Sequence, residues 1–141
     1  MKLEFLLEGS AFTLYAIVQG ENVAEYLEEL EQRNVQAHDQ IARRLLQLAE
    51  RGSSRKKDEF NDLGHELYEA KAKKGPRVIF FYDDNRVVIC AHAFDKQGQK
   101  TPKREIETAM SRKRSYFSCK EAGLGFEIHR DEKQAEPRRQ P

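Results

Sequence analysis

The sequence predicts an α+β domain: a small antiparallel sheet with an N-terminal helical hairpin and a C-terminal helix. Three observations lead there. Apolar and polar residues alternate through Leu3, Phe5 and Leu7 and again through Leu67–Ala72, the period of half-buried strands. Val23, Tyr26, Leu27 and Leu30, then Ile41, Leu45 and Leu48, recur at helical spacing. Ile106, Ala109 and Met110 repeat that spacing after Thr101-Pro102.

In chain order, Leu3–Leu7 and Ala11–Val18 read as a β-hairpin interrupted at Gly9-Ser10. Asn22 with Glu25 three residues on has a capping-box pattern and opens the first helix. Arg33-Asn34 breaks it, and a second helix runs from about Val35 to Glu50, with Gly52 as its stop. The two form a helical hairpin suited to covering one side of a sheet. Gly52–Lys57 is a loop by composition. Leu67–Ala72, Arg77–Tyr82 and Arg86–Phe94 then make a three-strand meander, turned at Lys74-Gly75-Pro76 and at Asp83-Asp84-Asn85. Thr101 is placed to cap a helix whose first residue is Pro102, and that helix should end near Tyr116 or Phe117. The domain is therefore expected to occupy residues 1–117. Residues 118–141, charged and dotted with Gly and Pro, read as a mobile tail.

The 141 residues suit one domain, and 38% hydrophobic against 35% charged residues is polar but sufficient for a core. No apolar run approaches the roughly 18 residues of a membrane span, and the first ten residues lack the apolar core of a secretory signal. Cys90 and Cys119 make neither a disulfide framework nor a zinc site, so a reducing cytoplasm is expected, with no metal and no cofactor. The net charge of +1 hides a segregation: residues 71–120 hold 13 Lys+Arg against 5 Asp+Glu, while every other stretch is net negative. A basic face of that kind attracts polyanions and binds them with steep salt dependence.

Familiar catalytic motifs are missing: there is no P-loop, no GxSxG, no HExxH and no metal-ligand spacing. Gly123-Leu124-Gly125 is too short for a phosphate fingerprint, and Glu28-Glu29 and Asp83-Asp84 read as a helix surface and a turn. His92 reads as a strand residue sharing a side with Val88, Cys90 and Phe94, and His38, His65 and His129 as surface or tail residues. Cys90 reads as core and Cys119 as an exposed bystander. What remains is cationic. Lys71, Lys73, Lys74, Arg77, Lys96, Lys100, Lys103 and Arg104 fall at strand ends, in the following loop and at a helix start. RNA carries its own nucleophile in the 2′-OH, so such a cluster suits the charge developing on a scissile phosphate.

The order of these steps resembles a known family. Glu69-Ala70-Lys71 closes a strand, Arg77 opens the next, His92-Ala93-Phe94-Asp95-Lys96-Gln97 ends the third, and Lys100-Thr101-Pro102 leads into a helix. This run, from Leu67 to about Tyr116, resembles the RelE/HigB superfamily of type II toxins in its phage-associated HigB-like branch. In this chain Lys71 stands where arginine is common, Ala93 replaces glycine and Gln97 replaces a second lysine. The resemblance implies a twisted antiparallel sheet and a ribosome-dependent mRNA endonuclease (an mRNA interferase) that cuts RNA without metal and inhibits translation. It also implies a cognate antitoxin, commonly of helix-turn-helix type, as partner beside mRNA and ribosome. Carried over, Lys71, Arg77 and Lys96 are the catalytic cations, with Lys71 the candidate for helping deprotonate the 2′-OH. Lys73, Lys74, Lys100, Lys103 and Arg104 would bind RNA, and Tyr116 lies nearest to the terminal tyrosine some relatives use. The same fold serves ParE-like gyrase inhibitors and non-catalytic nucleic-acid-binding phage proteins, which stand as the alternatives.

Overall fold

The computed structural model describes residues 1–98 and 100–131. In chain order the elements are β1 (Lys2–Glu8), β2 (Thr13–Val18), α1 (Val23–Arg33), α2 (Val35–Arg51), β3 (Phe60–Gly64), β4 (Leu67–Lys71), β5 (Pro76–Asp83), β6 (Val87–Asp95), α3 (Lys103–Glu121) and β7 (Glu127–His129). The strands form one seven-stranded mixed sheet in the order β3-β4-β5-β6-β2-β1-β7. Two features of the expected fold are thereby corrected. The helical hairpin is not N-terminal but follows two strands, and the sheet is neither small nor wholly antiparallel. β2 pairs with β6 in parallel, Thr13 to Val87 through Ala16 to Cys90, and β7 pairs in parallel with β1.

The reason lies in burial. Leu14, Ala16 and Ile17 of β2 and Val88, Ile89, Cys90 and Ala91 of β6 are all buried, so both strands offer apolar side chains to both faces. A strand of that kind is stable only in a sheet's interior, covered on each side. The N-terminal hairpin therefore joins the meander instead of standing apart from it.

The two faces have separate cores. Val78, Phe80, Val88 and Cys90 meet Val23, Leu30, Ile41, Leu45 and Leu48 of the helical hairpin. Ile79, Phe81, Ile89 and Phe94 meet Ala109 and Tyr116 of α3. Phe80 and Phe81 are essentially inaccessible, and each such burial contributes about 1.5–3 kcal/mol. Cys90 sits in the first core as expected, where burial alone pushes its thiol up to about 12.

Asn22 and Gly52 set helix ends as the sequence suggests, and Asn34, read there only as a break, caps α2 as well. Asn22 Oδ1 accepts from Glu25 N at 3.0 Å, Asn34 Oδ1 accepts from Ala37 N at 3.1 Å, and Gly52 ends α2 at φ 81°. Gly9 matters for a different reason. A Cβ there would lie 2.4 Å from the Ala49 carbonyl group, which accepts from Ala11 N and Phe12 N, so the β1–β2 turn is seated on the end of α2.

The C-terminal end of the domain also differs from expectation. α3 continues past Phe117 to Glu121, and Cys119, expected to be exposed, is buried with Sγ 3.4 Å from the Gly125 carbonyl. Phe126 stacks on Tyr116 with centroids 4.7 Å apart, and Lys2–Glu4 pair with Glu127–His129. Within residues 118–141, expected as a mobile tail, Cys119 and Phe126 thus touch the rest of the chain and Glu127–His129 join the sheet edge, while most of residues 120–130 are exposed; residues 132–141 lie outside the described residues. A chain ending at Ala122 is expected to be less stable than one ending at Asp131 by about 2 kcal/mol, because it loses that aromatic stack and the edge strand. Thermal melting should show this as a midpoint lower by roughly 5–10 °C; equal midpoints would put the boundary back near Phe117.

Candidate functional site

Alternation along β4, β5 and β6 decides which residues share the α3 side. On β4, Leu67 belongs to the core under α3, and Glu69 and Lys71 follow it on that face. On β5 the residues are Arg77, Ile79 and Phe81, and on β6 they are His92 and Phe94, with Lys96 just beyond. Cross-strand pairing sets them in two rows. Glu69 pairs with Ile79 and Ile79 with His92; Lys71 pairs with Arg77 and Arg77 with Phe94.

A β-bulge makes this possible. Ile79 pairs with His92 but Phe80 with Cys90, so Ala91 is the extra residue on β6. Without it His92 would follow Val88 and Cys90 toward the helical hairpin, as plain alternation predicts. With it the imidazole turns to α3, stacks on Phe94 at 5.8 Å and places Nε2 2.9 Å from Glu105 Oε1.

The three expected catalytic cations converge at this end of the sheet, but in different circumstances. Arg77 is buried, and its Nη1 donates to the carbonyls of Ala72 at 3.0 Å and Pro76 at 2.9 Å. Its Nε is buried without a hydrogen-bond partner among the described residues. Burial pulls this guanidinium below its ordinary value, with Glu69 and Tyr26 acting the other way. Lys71 is half-buried; its Nζ donates to Lys57 O at 3.0 Å, and its carbonyl accepts from Arg44 Nε at 2.9 Å.

Lys96 is placed differently. Its backbone N–H donates to Gly75 O at 2.7 Å, pinning the segment after β6 to the β4–β5 turn. Its ammonium has no hydrogen bond or ion pair among the described residues. Partial burial lowers its pKa, and the charges of Arg77 and then Lys71 lower it further against the pull of Glu69. A cation repelled by two others and left unpaired is a natural place for an anion to settle. Lys73, Lys74, Lys100, Lys103 and Arg104 are exposed, in the β4–β5 turn, the loop before α3 and the first turn of α3, but they do not all face it: Lys73 lines a groove with Arg43 and Arg44 of α2, and Arg104 one with Gln19 and Arg112.

The residue that sequence reading undervalued is Glu69. It is wholly inaccessible, with Oε2 accepting from Thr101 Oγ1 at 2.5 Å and Oε1 without a hydrogen-bond partner among the described residues. Thr101 therefore does not cap α3 as expected: the helix starts at Lys103 with no side-chain cap, because the hydroxyl is used on the buried acid. A carboxylate in so dry a place is costly unless positive charge stands near it, and Arg77 and Lys96 supply that charge.

Tyr116 is elsewhere. It is buried under α3 and donates to Asp83 Oδ2 at 2.5 Å, at the far end of β5 from Arg77, about 20 Å away at the usual strand rise. Burial first, then the bond to Asp83, raises its phenol well above the usual range. Its position serves packing and does not supply the site. Among the described residues no His/Cys/Asp/Glu group could hold a metal ion, and no helix is long and apolar enough to cross a membrane.

Residues 25–114 match the family described as phage derived protein Gp49-like (DUF891), a stretch that spans α1 through most of α3 and takes in every cation of the site. No curated protein matches the chain.

Proposed function

The chain belongs to the Gp49-like, phage-derived family, within the clan of RelE/HigB-like toxins, and on that premise we propose that it is the toxin of a type II toxin–antitoxin pair that cuts mRNA on the ribosome. The observation that carries this reading is Lys96: an ammonium without a partner among the described residues, close to Arg77 and Lys71. In this reading a scissile phosphate binds at Lys96. Charge developing on its oxygens is stabilised by Lys96 directly and by Arg77 from beneath. Lys71, at the sheet corner and committed to Lys57 O, orients a flanking phosphate; it does not remove a proton. Lys73, Lys74, Lys100, Lys103 and Arg104 hold the strand on either side, contributing affinity that salt weakens. A small antitoxin, of helix-turn-helix type in the commonest arrangement, is the partner that silences it.

Induced expression in bacteria should arrest translation and leave messages cut within translated frames, read by primer extension on a reporter mRNA. Intact transcripts accompanied by DNA damage would replace this reading with gyrase inhibition. Growth arrest with neither would leave binding without cleavage.

A further inference from the structure

Cleavage through the 2′-OH needs a base, and the cations of the site are poorly suited to that task. We propose, resting on the nuclease reading above, that the largely shielded pair His92–Glu105 is the acid–base element of this site. Four observations on the page converge. The bulge at Ala91 turns His92 out of the helical-hairpin core and onto the face of Arg77 and Lys96. Glu105 Oε1 sits 2.9 Å from Nε2, the side chains being 18% and 16% exposed, so the contact is largely shielded yet reachable. Phe94 stacks against the ring at 21° and fixes its plane. Nδ1 has no protein hydrogen bond among the described residues, which leaves it for a substrate.

Glu105 thus accepts from Nε2–H and sets the tautomer, and Nδ1 keeps its lone pair. Nδ1 takes the proton of the 2′-OH as O2′ bonds to phosphorus. The P–O5′ bond breaks with its electron pair on O5′, and O5′ takes a proton from the Lys96 ammonium, whose lowered pKa suits it as the acid. The ends formed are a 2′,3′-cyclic phosphate and a 5′-hydroxyl. Among the described residues the charged group in contact with the imidazole is Glu105 from α3; Arg77 of β5 and Glu69 of β4 lie on the same face in neighbouring positions of the sheet, and Lys96 follows β6 beyond Phe94. Glu105 is a positioning residue in this scheme.

The test uses purified ribosomes programmed with a defined mRNA, comparing the wild-type protein with His92→Gln, His92→Ala and Glu105→Gln. His92→Gln is expected to slow cleavage by roughly 10²–10⁴-fold and to lose a limb of the pH–rate profile that the wild type shows. Added imidazole should restore part of the rate to His92→Ala and none to Lys96→Ala, a result that altered packing would not give. Glu105→Gln should cause a smaller loss and a displaced limb. Wild-type rates and an unchanged pH profile in His92→Gln would overturn the assignment and leave the nuclease standing. Uncut mRNA with the wild-type protein would overturn both.

Discussion

Replacing Lys96 by Ala is expected to slow mRNA cleavage on the ribosome by roughly 100–1,000-fold, the usual loss when one charge-stabilising group is removed from a reacting centre. The same change should leave the urea unfolding midpoint in place. Lys96 Nζ makes no hydrogen bond or ion pair among the described residues, and its departure removes an attraction to Glu69 while relieving repulsion with Arg77 and Lys71; the opposed effects offset, which keeps the net change within about 0.5 kcal/mol. Lys103→Ala is the control. Lys103 is exposed in the first turn of α3, so its loss should weaken ribosome binding mildly and flatten the salt dependence by about one ion, with the bound rate unchanged. Equal, small effects at Lys96 and Lys103 would mean a diffuse basic surface and no reacting centre.

Much of this arrangement was legible in the sequence because it rests on local chemistry. The meander from Leu67 to Phe94 announces itself by alternation, and its second turn by Asp84-Asn85, where Asn85 and Arg86 take φ of 62° and 60°. Asn22 and Asn34 cap their helices by bonds within four residues. The gathering of cations at one end of the meander follows from strand order alone.

What stayed hidden depends on residues distant in the chain. β3 has no apolar run, since Phe60-Asn61-Asp62-Leu63-Gly64 is mostly polar, and its turn to β4 uses His65 and Glu66 at positive φ where Gly or Asn would have signalled it. The parallel pairing of β2 with β6 joins segments some seventy residues apart, and β7 is three exposed residues held by backbone bonds to β1. The site suffered the same way. Thr101 looks like a cap until Glu69 is seen beside it, and a one-residue bulge cannot be read from Ile89-Cys90-Ala91-His92, yet it decides which face the histidine serves.

Arg77→Ala, which a reading from sequence treats as another active-site deletion, is expected to act first on the fold. It should lower stability by about 3–5 kcal/mol, a large part of the 5–15 kcal/mol a domain of this size has to lose. Arg77 is 8% exposed, and its Nη1 ties the Ala72 and Pro76 carbonyls that flank the β4–β5 turn. Its charge also faces the inaccessible Glu69, whose Oε1 has no donor among the described residues. Deleting the guanidinium leaves a carbonyl without its bond and a buried carboxylate with less positive charge to offset its desolvation. If Glu69 is the source of much of the loss, neutralising it should recover stability. Arg77→Ala with Glu69→Gln should therefore be more stable than Arg77→Ala alone, giving a coupling of about 1–3 kcal/mol in a double-mutant cycle. Urea unfolding followed by fluorescence or circular dichroism measures each term. An Arg77→Ala protein with the wild-type midpoint but no cleavage would place the guanidinium at the phosphate itself and remove it from the support of the fold.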